Sequence, residues 1–282
     1  MDQSRFVRIC FFVVVMCAIV AVMPLTVRAA ALRVDQLEFD VTADPGETVA
    51  LSLQVQNVDD EPGTVEVYTS DWRRLPEGEH LYMESGGLPQ SASPWIQVAP
   101  AEFMLDPEER TTLRFTVTVP QNIDMAGTHW GMIFIESRGR PATAGSSVSV
   151  VQRIGVKVYV TPRSGTTSRD GLVERVDARW EPESGNVAVA ALFKNTGNVP
   201  VEPTGFVRLI DGAGQVVAEG EFSPFPVLPG DANLFRLTLP VESLPSGRYA
   251  VIAALDYGDA QLVGGQVQLQ VPSASETSEV GR

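Results

Sequence analysis

A chain of 282 residues that is 44% hydrophobic has room for two domains of common size, each able to bury a core. Its net charge of −14 repels nucleic acid and anionic lipid, and its two histidines and two cysteines leave little from which to build a zinc centre. The acidity serves solubility first, with an acidic surface for a basic partner as the second reading.

The chain opens on Arg5 and Arg8, an uncharged apolar run from Ile9 to Leu25, and the small residues Ala29, Ala30 and Ala31. That order predicts a secretory signal peptide over residues 1–31, cut after Ala31 or alternatively after Ala29. An uncleaved anchor is the rival, at the short limit of a membrane span and with Pro24 near its end. Cys10 and Cys17 leave with the signal, so no disulfide is expected. Loss of three Arg and one Asp moves the charge to −16.

From residue 32 the dominant signal has period two. Val49 to Val55, Leu113 to Val119 and Ile154 to Val160 alternate apolar and polar, which predicts strands with one face in a core. Between them lie Asp44-Pro45-Gly46, Asp59 to Gly63 and Asp106 to Glu109, where Pro fixes φ and Gly accepts positive φ. Residues 163–170 are polar, with nothing to bury, and read as a linker. Strands are then expected at 172–180, 187–194, 206–210, 216–222, 233–239, 248–255 and 262–271, with hairpin turns at Glu183 to Asn186 and Asp211 to Gly214. The tail, 272–282, is rich in Ser and Glu and reads as disordered. The expected fold is therefore all-β: two immunoglobulin-like β-sandwich domains, 32–162 and 171–271, after an N-terminal signal peptide.

No catalytic site is legible, and no metal or cofactor is expected. The mature chain holds no Gly-x-Ser-x-Gly, phosphate loop or dinucleotide fingerprint. His80 sits in a loop-like segment as a solvated side chain, and His129 opens a strand in a structural role. The acidic clusters at 59–61 and 106–109 lack the alternating spacing of a calcium loop and read as turn formers. Trp130 and Trp180 fall in strand patterns and read as core, whereas Trp72 and Trp95 flank an irregular segment and are open to sugar stacking.

In the order of these segments, residues 33–162 resemble the amino-terminal domain of the PapD-like periplasmic pilus chaperones. The resemblance runs through Val55-Gln56-Asn57, Ser93-Pro94-Trp95-Ile96, the Pro-containing turn before Thr111, Trp130 to Glu136, and the strand reaching Val158-Tyr159-Val160-Thr161-Pro162. It implies that the last strand of this domain is lent to a secreted subunit by β-strand addition. Val148 and Val150 fall at the lent positions, and Gln152 interrupts the apolar series. It further implies that Lys157 anchors the subunit's terminal carboxylate. The family's arginine partner is not matched: Gln36 occupies the aligned position and Arg33 lies nearby. The second module is only generically immunoglobulin-like.

The implied function is a periplasmic chaperone-like protein, not an enzyme, whose partners are pilus or other surface-structure subunits. No nucleic acid, and no membrane after signal cleavage, is expected as a partner. A structural or adhesive spacer module and a carbohydrate-binding protein are the alternatives.

Overall fold

The computed structural model describes residues 32–123, 125–138, 151–241 and 243–272. The predicted signal peptide with Cys10 and Cys17, the predicted lent residues Val148 and Val150, and the tail after Pro272 lie outside the described residues.

Alternation in the sequence becomes strands. In the first module these are β1 (Leu32–Val34), β2 (Glu38–Ala43), β3 (Thr48–Asn57), β4 (Gly63–Arg74), β5 (His80–Met83), β6 (Ile96–Ala99), β7 (Glu102–Leu105), β8 (Arg110–Thr118), β9 (His129–Ser137) and β10 (Arg153–Pro162). The second module contributes β11 (Gly171–Glu181), β12 (Asn186–Asn195), β13 (Thr204–Ile210), β14 (Val216–Phe222), β15 (Ala232–Pro240), β16 (Gly247–Asp256) and β17 (Val263–Val271). Among the described residues the only helical turn is a 3-10 turn at Ser93–Trp95.

Each module is a sandwich of two sheets. In the first, β1-β3-β8-β6 faces β2-β10-β9-β4-β5, with β7 added against β4. In the second, β11-β12-β15 faces β14-β13-β16-β17. The inward residues of both sheets make each core: Leu53, Val55, Leu113 and Phe115 meet Ile133, Ile135, Val156 and Val158 in the first. Val187, Val189 and Phe193 meet Val207, Leu209, Val251 and Leu255 in the second. Each such side chain contributes about 1.5–3 kcal/mol by leaving water, and these cores carry the stability.

The predicted turns form where turn chemistry placed them. Glu109 N donates to Asp106 O at 3.1 Å, and Gly214, at a φ of 81°, donates its N–H to Asp211 O at the same distance. Strand β14 has the predicted bounds, and the other strands of the second module extend their predicted ranges or trim them by a residue or two.

The chain passes from one sheet to the other between β1 and β2. β1 pairs with β3, while β2 runs parallel to β10 over Lys157–Pro162 only. The lower half of β10, from Arg153 to Val156, pairs with β9 alone among the described strands. This change of sheet positions the candidate site.

Candidate functional site: the β10 edge and the corner between modules

Along β10 the main-chain groups alternate between the two flanks. Ser137 N donates to Gln152 O at 2.9 Å, so even-numbered residues bond toward β9. Lys157 N donates to Leu37 O at 2.8 Å, so odd-numbered residues bond toward β2. Arg153 and Gly155 thus aim their N–H and C=O toward the flank that β2 does not reach. The Arg153 side chain lies on the outer face, where it pairs with Glu136 at 2.7 Å and stacks 5.1 Å over the Phe134 ring. Ile154 and Val156 point into the core.

The outer face of this sheet is aromatic rather than polar. Trp72, Trp130, Met132, Phe134 and Tyr159 form a second buried cluster there, which Leu228 of the second module joins. This explains why β9 reads as a nearly continuous apolar run: it is covered on both sides. Burial pushes the Tyr159 hydroxyl well above its ordinary pKa.

Lys157 belongs to this outer face. Its Nζ lies 3.4 Å from Glu38 and 5.7 Å from the Trp72 ring centroid. A second cation shares that ring, since the Arg74 guanidinium lies 5.8 Å from it and 4.6 Å from Phe225 of the second module. Arg74 Nε is buried without a hydrogen-bond partner among the described residues. His80 stacks beside them, 5.3 Å from Trp72 and 5.9 Å from Tyr82. Burial, with Arg74 and Lys157 nearby, lowers its pKa.

Arg33 does not join Lys157. Its neighbour Leu32 enters the core from the other sheet, so Arg33 leaves the sandwich from the outer face of β1 while Lys157 leaves from the outer face of β10. Period two on two facing sheets sends the residues to opposite sides. The cation beside Lys157 is Arg74, at the end of β4, which fell within the irregular segment that the sequence analysis placed between Trp72 and Trp95. Trp72 is 1% exposed, so its ring is closed to a sugar, and Trp95 is half-buried with its ring 4.4 Å from His129. The choice between core packing and sugar stacking, left undecided for these two tryptophans, goes to packing at Trp72.

The corner is braced by the second module. Asp231, whose side chain is fully buried, accepts from Arg73 Nε at 2.7 Å and from Arg74 N at 3.0 Å. Leu234 N donates to Pro76 O and Thr128 N to Asn198 O, both at 2.8 Å. Among the described residues no group of three or more His, Cys, Asp or Glu side chains could hold a metal, and no helix is long and apolar enough to cross a membrane.

No protein-family model matches the sequence, and no curated protein matches it. Solved structures do. One is a chain of the CsuC–CsuE chaperone–tip adhesion subunit pre-assembly complex from the Csu pili of Acinetobacter baumannii, at 12% identity over 83% of this chain and 98% of that chain, with a TM-score of 0.45. A second is the class 5 fimbriae chaperone CfaA, at 12% identity over 86% and 100%, with a TM-score of 0.43. A third is the E. coli chaperone DraB, at 15% over 87% and 98%, with a TM-score of 0.38. At such identities and scores, nothing about what this chain binds follows from them.

Proposed function

We propose that this protein is a periplasmic chaperone that binds secreted pilus or other surface-structure subunits by adding a subunit strand to the open flank of β10. One observation carries the reading: Arg153 and Gly155 direct main-chain hydrogen-bonding groups to a flank that β2 leaves unpaired. A strand edge left open among the described residues is an aggregation hazard that proteins ordinarily cover, and it points to a strand partner. The kind of partner is taken from the resemblance of residues 33–162 to the pilus chaperones.

In this reading Lys157 and Arg74 together receive the subunit's terminal carboxylate. Both cations lie within 6 Å of one tryptophan ring, with Glu38 as the near counter-ion of Lys157. A carboxylate would supply charge-assisted hydrogen bonds in a partly desolvated corner.

Affinity capture from the periplasm, followed by mass spectrometry, is expected to return one small secreted subunit. Lys157→Ala is expected to weaken that complex by about 1.5–3 kcal/mol, and a subunit with an amidated carboxyl terminus should be indifferent to the substitution. A clean monomer that captures nothing would instead make the chain a spacer module.

A further inference from the structure

Gln152 stands immediately before β10, and its side chain makes a two-point contact with the main chain of β1. Leu32 N donates to Gln152 Oε1 at 2.5 Å, and Gln152 Nε2 donates to Leu32 O at 3.3 Å. The residues are 120 apart in sequence and belong to different sheets. The geometry of β1 explains why Leu32 has both groups to give. Asn57, its register partner in β3, donates its own N–H to Glu109 O at 3.0 Å, away from β1. Leu32 and Asn57 are thus opposed without bonding each other, and the main chain of Leu32 faces away from β3.

The main chain of Gln152 is held as well: its N–H approaches Ser137 Oγ at 3.2 Å, and its carbonyl accepts from Ser137 N. One residue therefore ties the end of β9 to the start of β1, across the seam where a partner strand would enter. The open flank of β10 is bounded at both ends. Pairing with β2 closes it from Lys157 upward, and at the other end the Gln152 side chain is bonded to the main chain of Leu32. Between those limits lie Arg153 to Val156.

Resting on the strand-addition reading above, we propose that Gln152 is a positioning residue that sets the length of strand β10 accepts. With the clasp closed, a partner pairs along Arg153–Val156. To run further toward Val151 it must displace Leu32 from the Gln152 amide. A polar residue at this inward position, where the alternation calls for an apolar one, is what allows the clasp to form, because its primary amide carries both an acceptor for the N–H and a donor for the C=O.

The test is a length series of alternating valine–threonine peptides with amidated carboxyl termini, one about four residues long and one about ten. Amidation keeps the Lys157 corner out of the measurement. The wild-type protein is expected to bind both with similar affinity. Q152A is expected to leave the short peptide unchanged and to bind the long one about tenfold tighter, the clasp's two hydrogen bonds no longer competing. Q152E, which keeps the acceptor for Leu32 N and loses the donor to Leu32 O, should fall between the two, and it carries the test if Q152A does not fold. Equal gain with length in all three proteins would overturn the role of Gln152 while leaving strand addition standing. If neither peptide bound any of the proteins, the open flank would not be a binding edge, and both conclusions would fall.

Discussion

His129 is 3% exposed, stacked against Trp95, with Nε2 3.0 Å from Met125 O. That contact assigns the neutral tautomer with the proton on Nε2, and leaves Nδ1 buried without a partner among the described residues. Protonation would place a second N–H there with no acceptor. Burial accordingly lowers the imidazole pKa from 6.5, against the smaller opposing effect of the Met125 carbonyl. The unfolded chain then binds a proton that the folded chain refuses. Stability is full above pH 6.5 and declines as pH falls from there toward the lowered folded value, by at most about 1.4 kcal/mol per pH unit. His80 adds a term of the same sign. Urea unfolding at pH 7.5 and pH 5.5 should show this loss, and His129→Gln should reduce the difference between the two. A wild-type stability flat across that interval would remove the argument. From sequence, His129 was legible as a structural residue because it opens an apolar strand. The stacked place of His80 was not, because it depends on β5 folding back on β4, which no local pattern announces.

At the scale of elements, the strands were legible because alternation is a local property, and most of β10 follows from Ile154 to Val160 alone. What alternation does not contain is which flank of a strand is left open. That depends on β2 stopping short of Arg153, and so on where the chain changes sheets between Val34 and Glu38. The separation of Arg33, the basic residue near the aligned Gln36, from Lys157 has the same origin, since the two strands lie in different sheets. An edge function can be separated from the fold by a substitution that silences only outward main-chain groups. Arg153→Pro removes the N–H aimed at the open flank and leaves the bonds toward β9 in place; proline is tolerated at such edges. Arg153→Ala keeps that N–H and loses, as the proline variant also does, the Glu136 and Phe134 contacts of the side chain. Binding of a captured subunit should fall at least about tenfold in the proline variant and little in the alanine variant, with both folded by circular dichroism. Equal binding by the two variants would show that the partner does not use this flank.

For the molecule as a whole, two cores that share no residue are coupled by a small set of contacts. The linker is exposed, yet Asp170 O accepts from Thr196 N at 2.9 Å and from Gly197 N at 3.0 Å, and Asn198 Nδ2 donates to Thr166 O at 2.9 Å. Its polar composition was legible, while its attachment to the 195–198 turn was not, since it forms only when the second module is in place. The buried end of the coupling is Asp231, which accepts from Arg73 and from the Arg74 main chain. The tightest approach is at Gly127, whose φ of 104° suits glycine and where a Cβ would overlap Asn198 O. Two substitutions therefore act on the relation between modules rather than on either core. Asp231→Ala leaves Arg73 without its carboxylate and should cost about 2 kcal/mol of coupling. Gly127→Ala should force the 126–128 loop away from Asn198. Calorimetry is expected to resolve two unfolding transitions in either variant where the wild-type protein shows one, and small-angle scattering should report a broadened distance distribution. The corner at Lys157 and Arg74 depends on the same brace, since Arg74 is held between Trp72 and Phe225 across the interface. Carboxylate-dependent subunit binding should therefore weaken in Asp231→Ala, although Asp231 touches neither side chain of that corner. A single unfolding transition and unchanged scattering in both variants would mean that the modules are held by contacts other than these.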